Sequence, residues 1–381
     1  MAYGKGPSSP RAAITRRDFL STAATFAGGV MVFSLPGQAF ATEKMETNNS
    51  DSLRTKFEDS LGRSLDIAAP VKTVVPIGIY AQTLMETLYP GALASLAKDV
   101  TDDAGDFADA GLADILGLDE TGTPRGNFGK DVDPVQIATF EPDMILQAGI
   151  PRAGVGEELE PIQSATDTPC VFLDISFGKL QETYRKLGCL LGCEERAEEL
   201  ARYIEDAQAR AMAAVPKDGP NPKVFYGPRV AGKKVTEGAA IQLDAISQLG
   251  MEPLTRPYDF ELRTVDFTVL AEEDPDFILL DDTSFPDAFY SCEGEVHELW
   301  KGIRAISEGR FAVAPALMHS VLGSAVFAQS IGMLWIASVT PTTRSKLDIA
   351  AEMARYYQLF YGLERDEAAM ARLLGIGAED E

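Results

Sequence analysis

One pattern occurs twice in this chain of 381 residues and constrains the fold more than any other feature. Residues 137–147 read IATFEPDMILQ and residues 270–280 read LAEEDPDFILL, at a constant offset of 133. In each copy a helical pattern runs into an acidic residue, a proline and an aspartate, and an apolar run follows. Because proline disfavours helical geometry at the preceding residue, the helix ends there and a buried strand begins. The two copies predict a protein built from two similar α/β halves.

Other β-branched and apolar runs, separated by helical patterns, extend this prediction to a whole sheet in each half. The predicted strands cover residues 71–80, 143–148 and 170–175, and then residues 223–226, 276–280 and 311–314. Strands that alternate with helices form parallel sheets covered on both faces. The predicted fold class is therefore α/β, with two lobes whose parallel-type sheets are flanked by helices.

A long amphipathic helix is predicted between the halves, over Glu194–Val215. Its small and aliphatic residues share one face, its length is about 33 Å, and Gly192 and Pro216 mark its ends. A single helix of this length would join the lobes as a stiff spine. A second amphipathic helix, over Leu347–Tyr361, is expected to pack back on the second lobe.

These features divide the chain into five segments. They are an export signal over 1–41, a leader over 42–66, an N-terminal lobe over 67–180, a connecting helical segment over 181–216, and a C-terminal lobe with its terminal helix over 217–381.

The signal assignment rests on the adjacent Arg16 and Arg17, the mild apolar stretch after them, and small residues at Ala39 and Ala41. This arrangement resembles a twin-arginine signal. We therefore expect a protein in the periplasm or cell exterior, without a lipid-anchor cysteine and without membrane insertion after signal removal.

Composition excludes several classes of function. The formal net charge of −24 argues against nucleic acid as a partner, because phosphate-binding surfaces need clustered Lys and Arg. The two histidines, His297 and His319, are too few for a protein-bound metal site built from several imidazoles. No nucleophile elbow or phosphate-binding loop is present, so we expect no catalytic residues and no enzyme activity.

The order and spacing of these features resemble the substrate-binding proteins of iron-siderophore, haem and cobalamin ABC importers. The segment LGCLLGCEERAEEL at 187–200 is similar to that family's Leu-Gly-x-x-x-Gly-x-Glu-x-Arg-Ala motif. The segments SIGMLWIA at 330–337 and YYQLFYG at 356–362 resemble its later helices. The resemblance implies a monomer that captures a small-molecule ligand between its lobes and delivers it to a membrane permease. It also implies no cofactor, with a metal chelate as the transported ligand.

The sequence departs from this family at the positions that dock on the permease. Family members usually carry a Glu on the first turn of the helix before each Pro-Asp, and the matching positions here are Val135 and Thr268. Asp131, Asp133 and Asp266 lie within about one turn and are candidate replacements.

Ligands of open parallel sheets bind beyond the carboxyl ends of the strands, where loops and helix N-termini converge. That rule and the family's glycine loop select as ligand-binding residues Tyr80, Gln82, Asn127, Arg152, Tyr226, Arg229, Asp282, Met318 and His319. Arg152 and Arg229 come from opposite lobes and form a candidate clamp for an anion. Tyr80 and Tyr226 offer stacking or a phenolic hydrogen bond.

The identity of the ligand stays open at this stage, with an iron complex, siderophore or haem, as the first hypothesis. His319 suits an axial haem ligand, although a single loop histidine is more commonly a hydrogen-bonded polar residue. Cobalamin or an oxyanion such as molybdate is the alternative ligand. A chelatase-like enzyme on a related fold is the less favoured alternative function.

Overall fold

The computed structural model of the protein describes most of both lobes. The described residues are 23–27, 30–34, 53–89, 134–216, 221–231, 234–236, 240–254, 264–281, 295–315, 321–322, 325–340, 347–362, 364 and 367–374. Asn127, Asp282, Met318 and His319, together with Asp131 and Asp133, lie outside these residues.

The described strands, in chain order, are β1 (Ala23–Ala27), β2 (Val30–Ser34), β3 (Leu53–Glu58), β4 (Ser64–Ala69), β5 (Thr73–Ile77), β6 (Met144–Gly149), β7 (Cys170–Asp174), β8 (Lys223–Gly227), β9 (Arg229–Ala231), β10 (Lys234–Thr236), β11 (Glu252–Pro253), β12 (Thr264–Asp266), β13 (Phe277–Leu280) and β14 (Phe311–Val313).

The described helices are α1 (Gly78–Leu88), α2 (Pro134–Ala138), α3 (Val155–Thr166), α4 (Leu180–Leu191), α5 (Glu194–Ala213), α6 (Ala240–Gln248), α7 (Phe267–Glu273), α8 (Glu295–Lys301), α9 (Arg304–Ser307), α10 (Ala325–Ala328), α11 (Ile331–Val339), α12 (Ile349–Tyr361) and α13 (Glu367–Leu373). None of the described helices is long and apolar enough to cross a bilayer.

Each lobe is built on a parallel sheet, as predicted. In the N-terminal lobe the strand order is β1-β2-β5-β6-β7, in which β5, β6 and β7 are parallel and the β1–β2 hairpin is antiparallel to them. In the C-terminal lobe the order is β11-β8-β13-β14, with all pairs parallel. Short antiparallel strands, in the order β12-β10-β9, form a separate sheet. The confirmed fold class is two-lobed α/β.

The repeated Pro-Asp pattern occupies the same place in both lobes. Helix α2 leads into β6 and helix α7 leads into β13, and each of these strands pairs with the first parallel strand of its sheet, β5 or β8. The residues before the two prolines, Glu141 and Asp274, both adopt left-handed backbone angles, with φ of 47° and 45°. The helix therefore ends by the same local geometry twice, which confirms the pseudo-duplicated halves.

The spine predicted between the lobes is α5, which spans 20 residues and therefore about 30 Å. Its buried face, which includes Leu200 and Ile204, belongs to one continuous apolar core that contains residues of both lobes. Helices α4 and α11 pack on this spine, and α12 contacts it through Tyr203–Tyr356 and Arg210–Glu352. The terminal helix begins at Ile349, two residues later than predicted, because Asp348 caps its first turn by accepting from the Ala351 backbone amide.

The polar leader folds as the β3–β4 hairpin, whose tip covers the outer edge of β7. The buried Asp59 carboxylate accepts from the Arg63 side chain at 2.6 Å and from the Phe172 backbone amide at 3.2 Å. Arg63 also donates to the Cys170 carbonyl, and the Ser60 amide donates to the Phe172 carbonyl. The free backbone groups of an edge strand are thus satisfied.

Two segments differ from the sequence-based expectation. The first predicted strand, 71–80, ends at Ile77, because Gly78 takes a φ of 80° and opens helix α1 there. Residues 23–27 and 30–34, within the predicted export signal, form β1 and β2, and β2 pairs with the start of β5 at Val74 and Thr73.

Candidate functional site

The carboxyl ends of the parallel strands bring side chains from both lobes together. Tyr226 is on β8, the Asp281 backbone follows β13, and Tyr80 lies in the first turn of α1, just after β5. Tyr226 is 1% exposed, whereas Tyr80 and Asp281 are partly exposed. The three residues form the described centre of the candidate site, which is hereafter the tyrosine–aspartate site.

Adjacent strands position this site. Strands β8 and β13 pair in parallel, so that Tyr226 lies beside Leu279, and the Asp281 amide donates to the Gly227 carbonyl at 3.0 Å. This register places the Asp281 carboxylate against the phenol, and the Tyr226 hydroxyl donates to Asp281 Oδ2 at 2.9 Å. The hydrogen bond is therefore built into the sheet.

Tyr80 and Tyr226 interact across the two lobes. Burial raises the pKa of Tyr80, and burial raises the pKa of Tyr226 well above its ordinary value, with the charge of Asp281 and the phenol of Tyr80 as further causes. Both phenols are therefore protonated near neutral pH. The structure brings together these two predicted residues, one from each lobe.

Arg152 and Arg229 do not form a described pair. Arg152 follows β6 and its guanidinium donates to Glu158 on α3 at 2.6 Å. This hydrogen bond raises the pKa of Arg152, which lies in an exposed ion pair. The backbone of Arg229 lies in β9, and its side chain is outside the described atoms.

Gln82 lies on α1 two residues after Tyr80, and its side chain is buried. Its amide donates to the Glu86 carboxylate at 2.8 Å within the same helix. Residues two apart on a helix face different directions, so Gln82 does not share the face of Tyr80.

Sequence reasoning selected Asp282 and not Asp281 as a ligand-binding residue. The backbone ladder between β8 and β13 places the Asp281 carboxylate at Tyr226, and Asp282 lies outside the described residues. Side chains alternate along an extended chain, so a register known to one residue is needed to choose between them. The sequence feature that points to a site residue here is the pair of adjacent aspartates after a predicted strand.

Three buried glutamines connect the lobes in an interlobe amide relay of Gln181, Gln208 and Gln329. Gln181 on α4 donates to Gln208 on the spine at 2.8 Å, and Gln208 donates to the Gln329 carbonyl at 3.1 Å. The Gln329 amide donates to the Ile175 carbonyl at 2.7 Å and accepts from the Gly178 amide at 3.2 Å. The relay therefore attaches the C-terminal lobe to the chain that follows β7.

The two positions expected to match the family's docking carboxylates are both exposed, one on each lobe. Val135 lies in the first turn of α2 with 74% of its surface exposed, and Thr268 is exposed in the first turn of α7. The Thr268 hydroxyl donates to Asp266, the N-cap of α7, at 3.1 Å. Asp266 therefore supplies a carboxylate at this end of the C-terminal lobe.

Two parallel-sheet lobes on a helical spine, with polar side chains facing each other beyond the strand ends, define a two-lobed solute-binding protein. The chain belongs to the periplasmic binding protein family, whose sequence profile matches residues 107–317. Proteins of this family are periplasmic or extracytoplasmic, bind small ligands and work with ABC permeases, and the family is not enzymatic. No curated protein matches the sequence.

Solved structures support the fold. An ABC transporter solute-binding protein from Sulfurospirillum deleyianum is similar with a TM-score of 0.63 and 16% identity, over 84% of this chain and 99% of that chain. The molybdate-bound periplasmic protein MolA from Haemophilus influenzae gives 0.58 and 13%, over 82% and 99%. CeuE from Helicobacter pylori, as a Ni-His complex, gives 0.57 and 15%, over 83% and 98%.

Proposed function

We propose that this solute-binding protein captures an iron complex between its lobes and delivers it to an ABC importer. The observation that carries the proposal is the tyrosine–aspartate site, which places oxygen donors from both lobes at the carboxyl ends of the strands. Carboxylate and phenol oxygens suit hard metal centres such as ferric iron. Capture by such a site needs no covalent step, only contacts made when the lobes enclose the ligand.

The other contacts of the lobes suit a carrier of this kind. The spine and the interlobe amide relay join the lobes through buried contacts, so that only small hinge motion accompanies binding. CeuE is a similar structure that binds nickel with histidine, and MolA is one that binds molybdate. Proteins of this fold therefore bind both metal complexes and oxyanions. The polar groups of the cleft determine which of these two ligand classes a given protein binds.

Native mass spectrometry of the full chain tests the proposal. The protein is incubated with a mixture of ferric siderophores, haemin, cobalamin and molybdate, and we expect a single 1:1 adduct whose mass identifies an iron complex. A molybdate or cobalamin adduct would keep the carrier and replace the ligand. Turnover of a tetrapyrrole with free metal would instead indicate a chelatase.

The proposal also includes the route by which the protein is exported and the surface by which it contacts the permease. We propose a twin-arginine signal at Arg16 and Arg17, and a permease that contacts the exposed first turns of α2 and α7 near Val135 and Asp266. Replacement of both arginines by lysine should retain the protein in the cytoplasm, as measured by cell fractionation. An unchanged distribution would contradict this route of export.

A further inference from the structure

A groove on the surface of the spine lies outside the tyrosine–aspartate site. It runs between α5 and α12, has a volume of about 870 Å³ and is lined mainly by charged side chains of the two helices. Arg196 lines it and donates to the Thr87 carbonyl near the end of α1, whereas Tyr80 lies in the first turn of that helix. This feature, hereafter the spine groove, is therefore separate from the place where an iron complex would bind.

Three exposed carboxylates of α5 line the spine groove in one row. Glu195, Glu199 and Asp206 are spaced by four and seven residues, so they lie within about 40° of each other around the helix and span about 16 Å along it. Glu199 pairs with Arg196 at 3.1 Å and Asp206 with Arg210 at 2.9 Å, and Glu195 forms no ion pair within the described residues. A carboxylate has about four acceptor positions, so each of the three can accept from a further donor.

One cation of the protein already occupies the Asp206 end of this row. The Arg355 guanidinium lies over the Tyr203 ring, with Cζ 5.2 Å from the ring centroid, and its ion pair with Asp206 is long, at 3.9 Å. The Arg355 side chain is 56% exposed, so a cation–π contact and a weak ion pair hold it there rather than burial. A ligand with several cationic groups can therefore displace it.

The Tyr203 hydroxyl gives a second reason to expect a ligand at this end. The side chain of Tyr203 is 3% exposed, and its hydroxyl has no hydrogen-bond partner among the described residues. Burial raises the pKa of this phenol, with the charge of Glu352 as a further cause, so the hydroxyl is neutral. A buried hydroxyl without a partner costs free energy, which a donor bound in place of Arg355 would recover.

The charges of the spine groove favour a cation over an anion. Four carboxylates and three guanidiniums line it, and their ion-pair partners outside it add two groups of each sign, which are Arg185, Arg210, Glu205 and Glu352. The excess is negative, in a chain whose net charge is −24. An anion would meet guanidiniums that are already paired, in Arg196–Glu199, Arg202–Glu198 and Arg355–Asp206.

The lining suits a flexible chain of methylene groups between the cationic groups. The Tyr203 ring and the half-buried Leu359 side chain provide apolar surface beside the row. A basic peptide would also bring backbone carbonyls that need donors, and the arginines of the groove are already engaged. A linear polyamine needs only carboxylates for its ammonium groups and apolar surface for its methylene groups.

We propose that the spine groove is a second binding site and that it binds a linear polyamine. The ammonium groups contact Glu195, Glu199 and Asp206, and the one at Asp206 replaces Arg355 at the Tyr203 ring and donates to the Tyr203 hydroxyl. The ligand binds in its protonated form, and no covalent bond forms or breaks.

Isothermal titration calorimetry of the full chain with spermine tests this site. We expect 1:1 binding that weakens as salt is added, because the contacts are exposed ion pairs. Glu195→Gln and Glu199→Gln should each weaken binding by about threefold or more, and Arg355→Ala should strengthen it by a similar factor, because a tethered competitor is lost.

Two matched controls change the same charges on α4 and α5 outside the groove. Glu205→Gln removes a carboxylate of the spine that pairs with Arg185, and Lys186→Ala removes a cation that pairs with Glu182. Both should leave the dissociation constant nearly unchanged. Equal responses of the groove variants and these controls would indicate general attraction to an acidic protein and overturn the proposal.

Two further results would also overturn it. The full chain could fail to bind spermine at low salt, in which case the spine groove is not a polyamine site. It could instead bind a lysine-rich peptide and not spermine, which would make the groove a contact for another protein. Neither result bears on capture of an iron complex, because that ligand is tested separately at the other site.

Discussion

Asp276 and Lys223 form a reciprocal pair at the start of the C-terminal sheet. The Lys223 amide donates to the Asp276 carboxylate at 3.0 Å, and the Asp276 amide donates to the Lys223 carbonyl at 2.8 Å. Asp143 and Thr73 repeat this pair in the N-terminal lobe at 2.9 Å and 3.0 Å. The aspartate of each Pro-Asp unit therefore fastens the second strand to the first.

Replacement of either aspartate by alanine should lower the free energy of unfolding by about 1–3 kcal/mol, because backbone amides lose a charged acceptor. Urea denaturation of Asp143→Ala and Asp276→Ala measures the loss. The Asn variants keep an acceptor oxygen and should lose less. Equal losses for Ala and Asn at both positions would contradict this role.

The interlobe amide relay predicts strong coupling between Gln181 and Gln208. Gln181→Leu leaves the Gln208 side-chain oxygen without its donor, and Gln208→Leu leaves the Gln181 amide nitrogen without its acceptor. Each single change should cost about 1–3 kcal/mol, whereas the double variant removes both polar groups together. We expect the double variant to lose clearly less than the sum of the singles in urea denaturation. Additive losses would show that the two amides do not act together.

Arg196 on the spine should be one of the most sensitive residues of the chain. Its guanidinium donates to the Thr87 carbonyl at the end of α1 at 3.0 Å and to the Leu359 carbonyl in the last turn of α12. Burial lowers the pKa of Arg196, but its charge suits the negative ends of both helices. Arg196→Ala should cost about 3 kcal/mol or more, because these buried carbonyls lose their donor.

Thermal denaturation measures the stability lost in Arg196→Ala, and two further variants serve as comparisons. Arg196→Lys keeps the charge without the forked donors and should be intermediate. Arg202→Ala removes an exposed arginine one to two turns along the same helix, which pairs with Glu198, and should change the melting temperature little. A similar effect of Arg196→Ala and Arg202→Ala would contradict the role of Arg196.

Tyr356→Phe should raise stability by up to about 1 kcal/mol. The Tyr356 hydroxyl is buried without a hydrogen-bond partner among the described residues, while its ring stacks on Phe360 with centroids 4.3 Å apart. The change keeps the ring and removes a polar group that water can no longer solvate. A melting temperature below that of the native protein would show that the hydroxyl has a partner.

The buried thiol of Cys170 should lower the free energy of unfolding at high pH. Burial raises the pKa of its thiol from 9.0 to about 12 in the folded protein. Between these values the unfolded chain releases the proton and the folded protein keeps it, so stability falls as pH rises through this range, by at most about 1.4 kcal/mol per pH unit.

Cys170→Ala should flatten this part of the curve, measured by urea denaturation at pH 8 to 11. The same burial should make Cys170 slow to react with iodoacetamide at pH 8, while the exposed Cys189 reacts first. An equal rate at both thiols, or an unchanged slope in the variant, would contradict the assignment.

Local rules were enough to predict the fold. The Pro-Asp units, the glycine before α5 and the apolar face of α5 act within a few residues, so their geometry could be read directly. The site depends on pairing at long range. Tyr226 and Asp281 are brought together by strand register, which one-residue patterns do not determine.

Contacts between helices were the least predictable. Gln208 and Gln329 are 121 residues apart, and nothing in either local sequence distinguishes them from exposed glutamines. Arg196 lies within the family-like motif at 187–200, but its reach to Thr87 and Leu359 depends on how three helices pack. Arg152, predicted as part of an anion clamp, has a partner only six residues along the chain.

The continuous core around α5 makes the two halves unsuitable as exchangeable modules. A chimera that took one lobe from a relative would inherit a spine and a terminal helix shaped for different neighbours, and Arg196 would face foreign helix ends. Recombination between relatives would succeed where the crossover leaves α1, α5 and α12 together. The two sheets repeat one local pattern, but they share a single apolar core, so a transplanted lobe has to bring α1, α5 and α12 with it.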